Sequence, residues 1–277
     1  MKKLRIGVAG LGRAFAVMSP EFRDRLVELV AATDPRGEAL ARFKNDYGGR
    51  CYATVEELCA DPVVDVVYVA TPHELHAAHA RLAASAGKHL LVEKPMALSL
   101  DDCRAMIDAA RKAGVALIVG HSHSFDSPIL HARKLIQGGA YGALRMITAL
   151  DFTDFVYRPR RPEELATGAV YNQAAHQVDI LRLLAGAKVR SVRAFTVDLD
   201  AARPTEGAYS CLLGFDNGIF ANAVYSGYAH FDSDEFMGWI GEMGQKKDPK
   251  AYGLTRKALQ KARNEVDLKS SRNYGGP

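Results

Sequence analysis

Between Leu4 and Gly120 short apolar runs alternate with helix-patterned stretches, and this alternation restricts the fold more than any other feature. Residues 4–9 and 27–33 read as strands, and residues 37–47 as a helix. Residues 65–70 are almost continuously apolar, as expected of a parallel strand buried on both faces. Helical spacing over 73–86 leads to a strand at 89–92, a helix over 99–113 and a strand at 115–120. Ser99 suits the N-cap of that helix, Asp101 and Asp102 suit its first turn, and Gly114 suits its stop. Strands and helices in this order predict a doubly wound parallel sheet, a Rossmann-type domain over residues 1–122.

Past Asp126 the pattern changes. A helix over 128–137 and a strand over 144–152 precede a loop rich in proline and arginine at 157–162. A helix follows around 172–184, then strands near 189–198, 208–215 and 219–225 that are close enough in sequence to pair antiparallel. Asp216-Asn217-Gly218 between the last two is a hairpin signal. Residues 123–277 are therefore expected to form an α+β domain on an open, mostly antiparallel sheet. The final residues, Asn273 to Pro277, are a breaker cluster, and a domain truncated at this end is expected.

Composition excludes several functions. No apolar run approaches the ~18 residues of a membrane span, and the N-terminus lacks the apolar core and cleavage site of a secretory signal. Cys51, Cys59, Cys103 and Cys211 are scattered without a Cys-x-x-Cys pair, which argues against a disulfide framework or zinc site and for a reducing, cytoplasmic setting. The net charge of +4 is uneven: nine Lys or Arg against three Asp or Glu from Gln245 onward leave the preceding residues at −2. The body is thus no basic nucleic-acid binder, and the basic tail reads as a solvated face.

Gly10-Leu11-Gly12 follows the first strand and precedes a helix, the context of a dinucleotide-binding turn. Gly10 permits the tight turn, Gly12 permits close approach of a pyrophosphate, and Arg13 and Ala14 open the helix. Phe15 occupies the third glycine position, which should widen helix–strand packing. Asp34 ends the second strand, where a carboxylate accepts ribose hydroxyls and repels a 2′-phosphate, so NAD is favoured over NADP. Its other reading is a turn former before Pro35. Arg36 and Arg13 weigh the opposite way, since either side chain has the charge to meet a 2′-phosphate.

Ala70-Thr71-Pro72-His73-Glu74-Leu75-His76, Glu93-Lys94-Pro95 and the run from Asn172 through His176 to Asp179 carry a resemblance. They resemble the signatures of the glucose-fructose oxidoreductase, inositol dehydrogenase and rhizopine-catabolism family over residues 4–228. The resemblance implies hydride transfer between a secondary alcohol and a nicotinamide. It implies a dinucleotide held partly by Ala70, Thr71, Pro72, His76, Glu93 and Lys94, with Lys94 near the reacting carbons. It makes His176 the candidate proton acceptor, with Asn172 and Asp179 at helical spacing from it. Asn172 departs from the family's Asp, which leaves open whether Asp179 orients the imidazole or Lys94 carries more of the acid–base work.

Residues 10–15, 119–125, 157–162 and 231–236 are similar to the phthalate 4,5-cis-dihydrodiol dehydrogenases within that family. This likeness implies an anionic cyclic diol as substrate, whose oxidation is drawn forward by aromatisation. Arg158, Arg160 and Arg161 are candidate carboxylate partners or, equally, a solvated basic loop. His121 and His123 follow the strand at 115–120 and are candidate substrate contacts, with no accompanying carboxylate or thiol cluster to suggest a metal. A sugar or inositol dehydrogenase is the alternative within the family, and a non-catalytic dinucleotide sensor the alternative outside it. The open sheet and the habit of relatives imply a homodimer or homotetramer.

Overall fold

The computed structural model describes residues 3–276 apart from Ala166, Glu242, Met243, Tyr252 and Arg263. The chain divides into two compact units: residues 1–120 together with 270–277, and residues 121–269.

Unit 1 runs β1 (Leu4–Ala9), α1 (Arg13–Met18), β2 (Val27–Thr33), α2 (Gly37–Tyr47), β3 (Arg50–Tyr52), α3 (Val55–Ala60), β4 (Val66–Val69), α4 (His76–Ser85), β5 (His89–Val92), α5 (Leu100–Ala113) and β6 (Leu117–Val119). Its strands pair in parallel in the order β3-β2-β1-β4-β5-β6. The direction of winding reverses between β1 and β4, which is where open α/β sheets bind ligands. The two faces are filled from alternate strand residues. Val67 and Val69 pack with Leu58, Ala83, Leu90, Met106 and Ala110 on one side, and Tyr68 packs with Ile6, Val8, Phe15 and Phe43 on the other. Helix α5 starts and stops as its residues require: Ser99 Oγ accepts from the Asp102 amide at 3.1 Å, and Gly114 closes it at φ +67°. β3 and α3 had no counterpart in the sequence reading, because three strand residues and one short helix carry too little periodicity to register.

Phe15 does more than widen the packing at the missing glycine. Its fully buried ring stands 6.2 Å from Phe43, 6.3 Å from Tyr47, 6.4 Å from Phe22 and 4.9 Å from Tyr274. The aromatic group draws residues near the end of the chain onto the first unit.

Unit 2 contains α6 (Ser127–Gly138), β7 (Met146–Phe152), α7 (Pro162–Leu165), α8 (Ala175–Ala185), β8 (Val189–Val197), β9 (Ala208–Phe215), β10 (Phe220–Ser226), α9 (Leu254–Lys261) and all but the last residue of α10 (Glu265–Ser270). The sheet order is β7-β10-β9-β8, antiparallel at β10–β9 and β9–β8, and parallel at β10–β7. The β9–β10 hairpin turns at Gly218, φ +83°, with the Phe215 amide donating to the Ile219 carbonyl at 2.9 Å. One face of the sheet, through Tyr209, Leu213, Ala221, Ala223 and Tyr225, is buried with Leu181 and Ala185 of α8. The register puts Met146, Leu150, Phe195, Leu212 and Phe220 on the other face, and all five are exposed.

Truncating Phe15 should remove a ring that nothing else can replace. Phe15→Ala is expected to cost about 3–5 kcal/mol, read as an earlier urea transition by circular dichroism; a loss under about 1 kcal/mol would show that the aromatic group is dispensable.

Candidate dinucleotide site and polar clusters of the second unit

At the reversal of winding, Gly10 sits at φ +95°, and a Cβ there would lie 2.7 Å from the Ala70 carbonyl oxygen. Only glycine fits this turn. The Gly10 amide donates to the Thr33 carbonyl at 2.9 Å, so the turn hangs from β2. Nothing lies within 4 Å of a Cβ built at Gly12, the N-cap of α1, which leaves room for a ligand beside this backbone. Arg13 is exposed and Ala14 half-buried in the turn that follows. Asp34 is buried, and its Oδ2 accepts from the Leu11 amide at 2.7 Å, fixing the glycine turn against the end of β2. A tight glycine turn, open space beside its backbone and a carboxylate at the strand end together fit a dinucleotide.

The loops after β4 and β5 are tied to each other. His76 is fully buried, with Nε2 2.9 Å from the Thr71 carbonyl and Nδ1 2.9 Å from the Pro95 carbonyl. The ring thereby spans the loop of Ala70, Thr71 and Pro72 and the loop of Glu93, Lys94 and Pro95. Thr71 Oγ1 meets His79 Nδ1 at 3.1 Å, and burial pushes the His79 imidazole below its usual value. Tyr68 donates to Glu93 Oε1 at 2.5 Å; burial first, then the Glu93 charge, pushes its phenol far above the usual range. The Lys94 amide donates to Glu93 Oε2 at 3.3 Å, and the Lys94–Pro95 peptide is cis. Lys94 itself is half-buried just past β5.

In unit 2, His121 and His123 are half-buried on either side of Ser122, and His123 Nδ1 stands 3.0 Å from Asp126 Oδ2. The His123 and His176 rings meet at 4.4 Å with 71° between their planes. Ser124 donates to the Asp179 carboxylate. Asn172 lies in a π-helical turn, Val170–Ala174, ahead of α8. With i→i+5 bonding a four-residue step falls short of a full turn, so the expected α-helical stacking of Asn172 on His176 is altered. The Asn172 amide donates to the carbonyls of Thr167 at 2.8 Å and Gly168 at 3.1 Å.

The three loop arginines differ. Arg158 pairs with Asp154 at 2.8 Å and Arg161 with Glu164 at 3.2 Å. Arg160 is buried, its guanidinium 3.7 Å from the centre of the Phe155 ring. Its Nη2 donates to the Phe155 carbonyl at 3.3 Å, while Nη1 has no hydrogen-bond partner among the described residues. Desolvation, helped by Arg203, lowers its pKa to about 10, so it stays charged at neutral pH. Tyr68, His79, Ser124 and Asp126 escaped the sequence reading. Each holds a residue that it singled out, and only a polar tip inside an apolar run marked Tyr68 in advance.

No group of three or more His, Cys, Asp or Glu able to hold a metal occurs among the described residues, and none of their helices is long and apolar enough to cross a membrane. Residues 4–121 match the profile of an oxidoreductase family with an NAD-binding Rossmann fold, and residues 129–245 match the GFO/IDH/MocA C-terminal domain. The 1-carboxy-3-chloro-3,4-dihydroxycyclo hexa-1,5-diene dehydrogenase of Comamonas testosteroni is 51% identical over 98% of this chain and 71% of its own length. The 1,5-anhydro-D-fructose reductase of Ensifer adhaerens is 34% identical over 70% of this chain and 60% of its own. A crystal structure from Bordetella bronchiseptica RB50 superposes with a TM-score of 0.95 at 42% identity, covering 100% of this chain and 74% of that one. Fold and relatives define an NAD-dependent oxidoreductase that acts on a small molecule. The chain belongs to the GFO/IDH/MocA family.

The two glycines of the turn should separate folding from binding. Gly10→Ala forces a side chain into a left-handed backbone against Ala70 and is expected to cost about 1–3 kcal/mol in strain alone. Gly12→Ala should keep the melting temperature yet weaken NADH at least about tenfold in a fluorescence titration, the equivalent of ~1.4 kcal/mol. Unchanged NADH affinity in Gly12→Ala would remove this turn from the cofactor site.

Proposed function

We propose that the protein oxidises a carboxylated cyclic cis-diol with NAD, in the cytoplasm. The single observation that carries the substrate class is Arg160, a buried, charged guanidinium with an uncommitted Nη1, the chemistry of a carboxylate partner. The name of the Comamonas testosteroni relative, a carboxylated ring diol dehydrogenase, supports the same class. Arg158 and Arg161, each already paired with a carboxylate, serve the loop.

Gly10, Leu11, Gly12, Arg13 and Ala14 would hold the pyrophosphate, and Asp34 the adenosine ribose. Ala70, Thr71, Pro72, Glu93 and Lys94 would flank the nicotinamide end, with His76 bracing the two loops. Bound NAD supplies the hydride acceptor. Lys94 would supply the positive charge that steadies a developing alkoxide, and the His176 imidazole is the candidate proton acceptor. Hydride departs from the carbinol carbon, the C–O bond becomes C=O, and the hydroxy-dienone shifts one ring proton to become an aromatic diol. Asp126 holds His123, whose ring meets the His176 ring edge-on, and would steady the orientation of that imidazole. Asp179, bound by Ser124, anchors α8 beside it. His121 and His123 are proposed substrate contacts.

The exposed sheet face with Phe195, Leu212 and Phe220 supports a homo-oligomer built on that face.

Nicotinamide absorbance should rise when protein and NAD are mixed with 4,5-dihydro-4,5-dihydroxyphthalate but not with myo-inositol; the reverse result would discard the anionic diol and keep the oxidoreductase. Lys94→Ala should lower kcat at least about 100-fold, as loss of a proton-handling group does. Arg160→Met should raise KM about tenfold or more with kcat less affected, the size of one charge-assisted hydrogen bond. An unchanged KM would sink the carboxylate assignment. Phe195→Glu with Leu212→Glu should yield a monomer by light scattering; an unaltered mass would place the interface elsewhere.

A further inference from the structure

Arg36 lies two residues past Asp34, where a free guanidinium would favour a ribose 2′-phosphate, yet its donors are already committed. Nε donates to Asp34 Oδ1 at 2.9 Å, and Nη2 donates to Asp34 Oδ2 at 3.2 Å and to the Leu11 carbonyl at 2.7 Å. Nη1 donates at 3.1 Å to the carbonyl of Tyr274, which lies 238 residues further along the chain. Of the five N–H groups on a guanidinium, these bonds leave one, on Nη1.

The segment bearing Tyr274 is seated firmly enough to hold that carbonyl in place. The Tyr274 side chain is buried, edge-on to Phe15 at 4.9 Å and 5.1 Å from the Arg42 guanidinium. Its hydroxyl donates to Asp46 Oδ2 at 2.6 Å, the main reason the Asp46 carboxyl lies below its usual range. Gly275, at φ +72°, comes so near α2 that a Cβ on it would stand 3.1 Å from Ala39 Cα. The residue at the missing third glycine, Phe15, is therefore part of the seat.

We propose that residues 273–276 form a cofactor-specificity strap. Tyr274 presents its carbonyl to Arg36 and locks that cation onto Asp34 and Leu11. A 2′-phosphate then meets the Asp34 carboxylate without a free guanidinium to offset the repulsion. Two devices thus favour NAD: the acidic residue, and the tether that keeps its neighbour from answering a phosphate. The inference concerns the adenosine end alone and is independent of the proposed substrate.

The test is a set of NADH and NADPH fluorescence titrations on the full chain, which need no turnover. Four proteins are compared: wild type, Asp34→Ser, Tyr274→Ala and the double variant. Tyr274→Ala alone should change the NADPH-to-NADH affinity ratio less than about threefold, because Asp34 still holds Arg36, while Asp34→Ser alone should improve NADPH binding about tenfold. The double variant should gain about another tenfold beyond the product of the two, one charge-assisted hydrogen bond being of that size. Adding Arg36→Ala should abolish the gain. A double variant equal to the product of the singles, or a gain that survives Arg36→Ala, would overturn the strap. Equal weakening of both dinucleotides by Tyr274→Ala would reduce the segment to a structural role and also overturn it. Should Tyr274→Ala fail to fold, Gly275→Val, whose side chain would meet Ala39 and lift the segment off α2, takes its place; no added NADPH gain over Asp34→Ser alone would then be the overturning result.

Discussion

Two backbones meet at the ends of β1 and β4, and the first unit is arranged around that meeting. Gly10 stands so close to Ala70 that no side chain fits there. The close approach falls where the strand order reverses the winding, and the crevice at that point follows from the topology. Asp34 then fixes the turn by accepting the Leu11 amide, and the same carboxylate collects Arg36. One buried charge at a strand end therefore organises both the glycine turn and the Arg36 guanidinium beside it.

The second unit spends its charges differently. Four arginines, Arg158, Arg160, Arg203 and Arg256, gather around Phe155 and Tyr157; Arg158 pairs with Asp154, Arg203 with Glu265, and Arg256 donates to the Tyr228 carbonyl. Glu265 accepts both from Arg203 and from the Arg160 amide. A buried guanidinium stacked on an aromatic ring with a donor left over is costly unless something answers it. That cost separates Arg160 from its two neighbours in the loop, which are alike in sequence and different in setting.

Histidines show the same division between residue type and placement. His76 and His176 both stand in recognisable motifs, yet the first is sealed between two carbonyls and the second lies edge-on to another imidazole. An imidazole with both nitrogens facing backbone oxygens works as a brace, whereas the His176 ring packs on an imidazole that Asp126 holds. Chemistry of the side chain alone assigns neither role.

Much was legible in the amino-acid order, because strand alternation, caps and the glycine turn are local: residues 4–9, 27–33 and 89–92 became strands as written, Ser99 and Gly114 bounded their helix, and Gly218 made its hairpin. The glycine turn stood out by its place between a strand and a helix, and the EKP loop and the histidine of α8 by their resemblance to family signatures. What local pattern could not carry is whatever depends on partners far along the chain. Tyr68 reaching Glu93, Ser124 reaching Asp179, the parallel pairing of β7 with β10, and Tyr274 reaching Arg36 all join residues whose proximity exists only once sheets and cores have formed. Sequence determined which groups are present and which elements hold them; tertiary structure decided which charges are spent internally and which remain for a ligand, because burial and long-range hydrogen bonding set the state of each group.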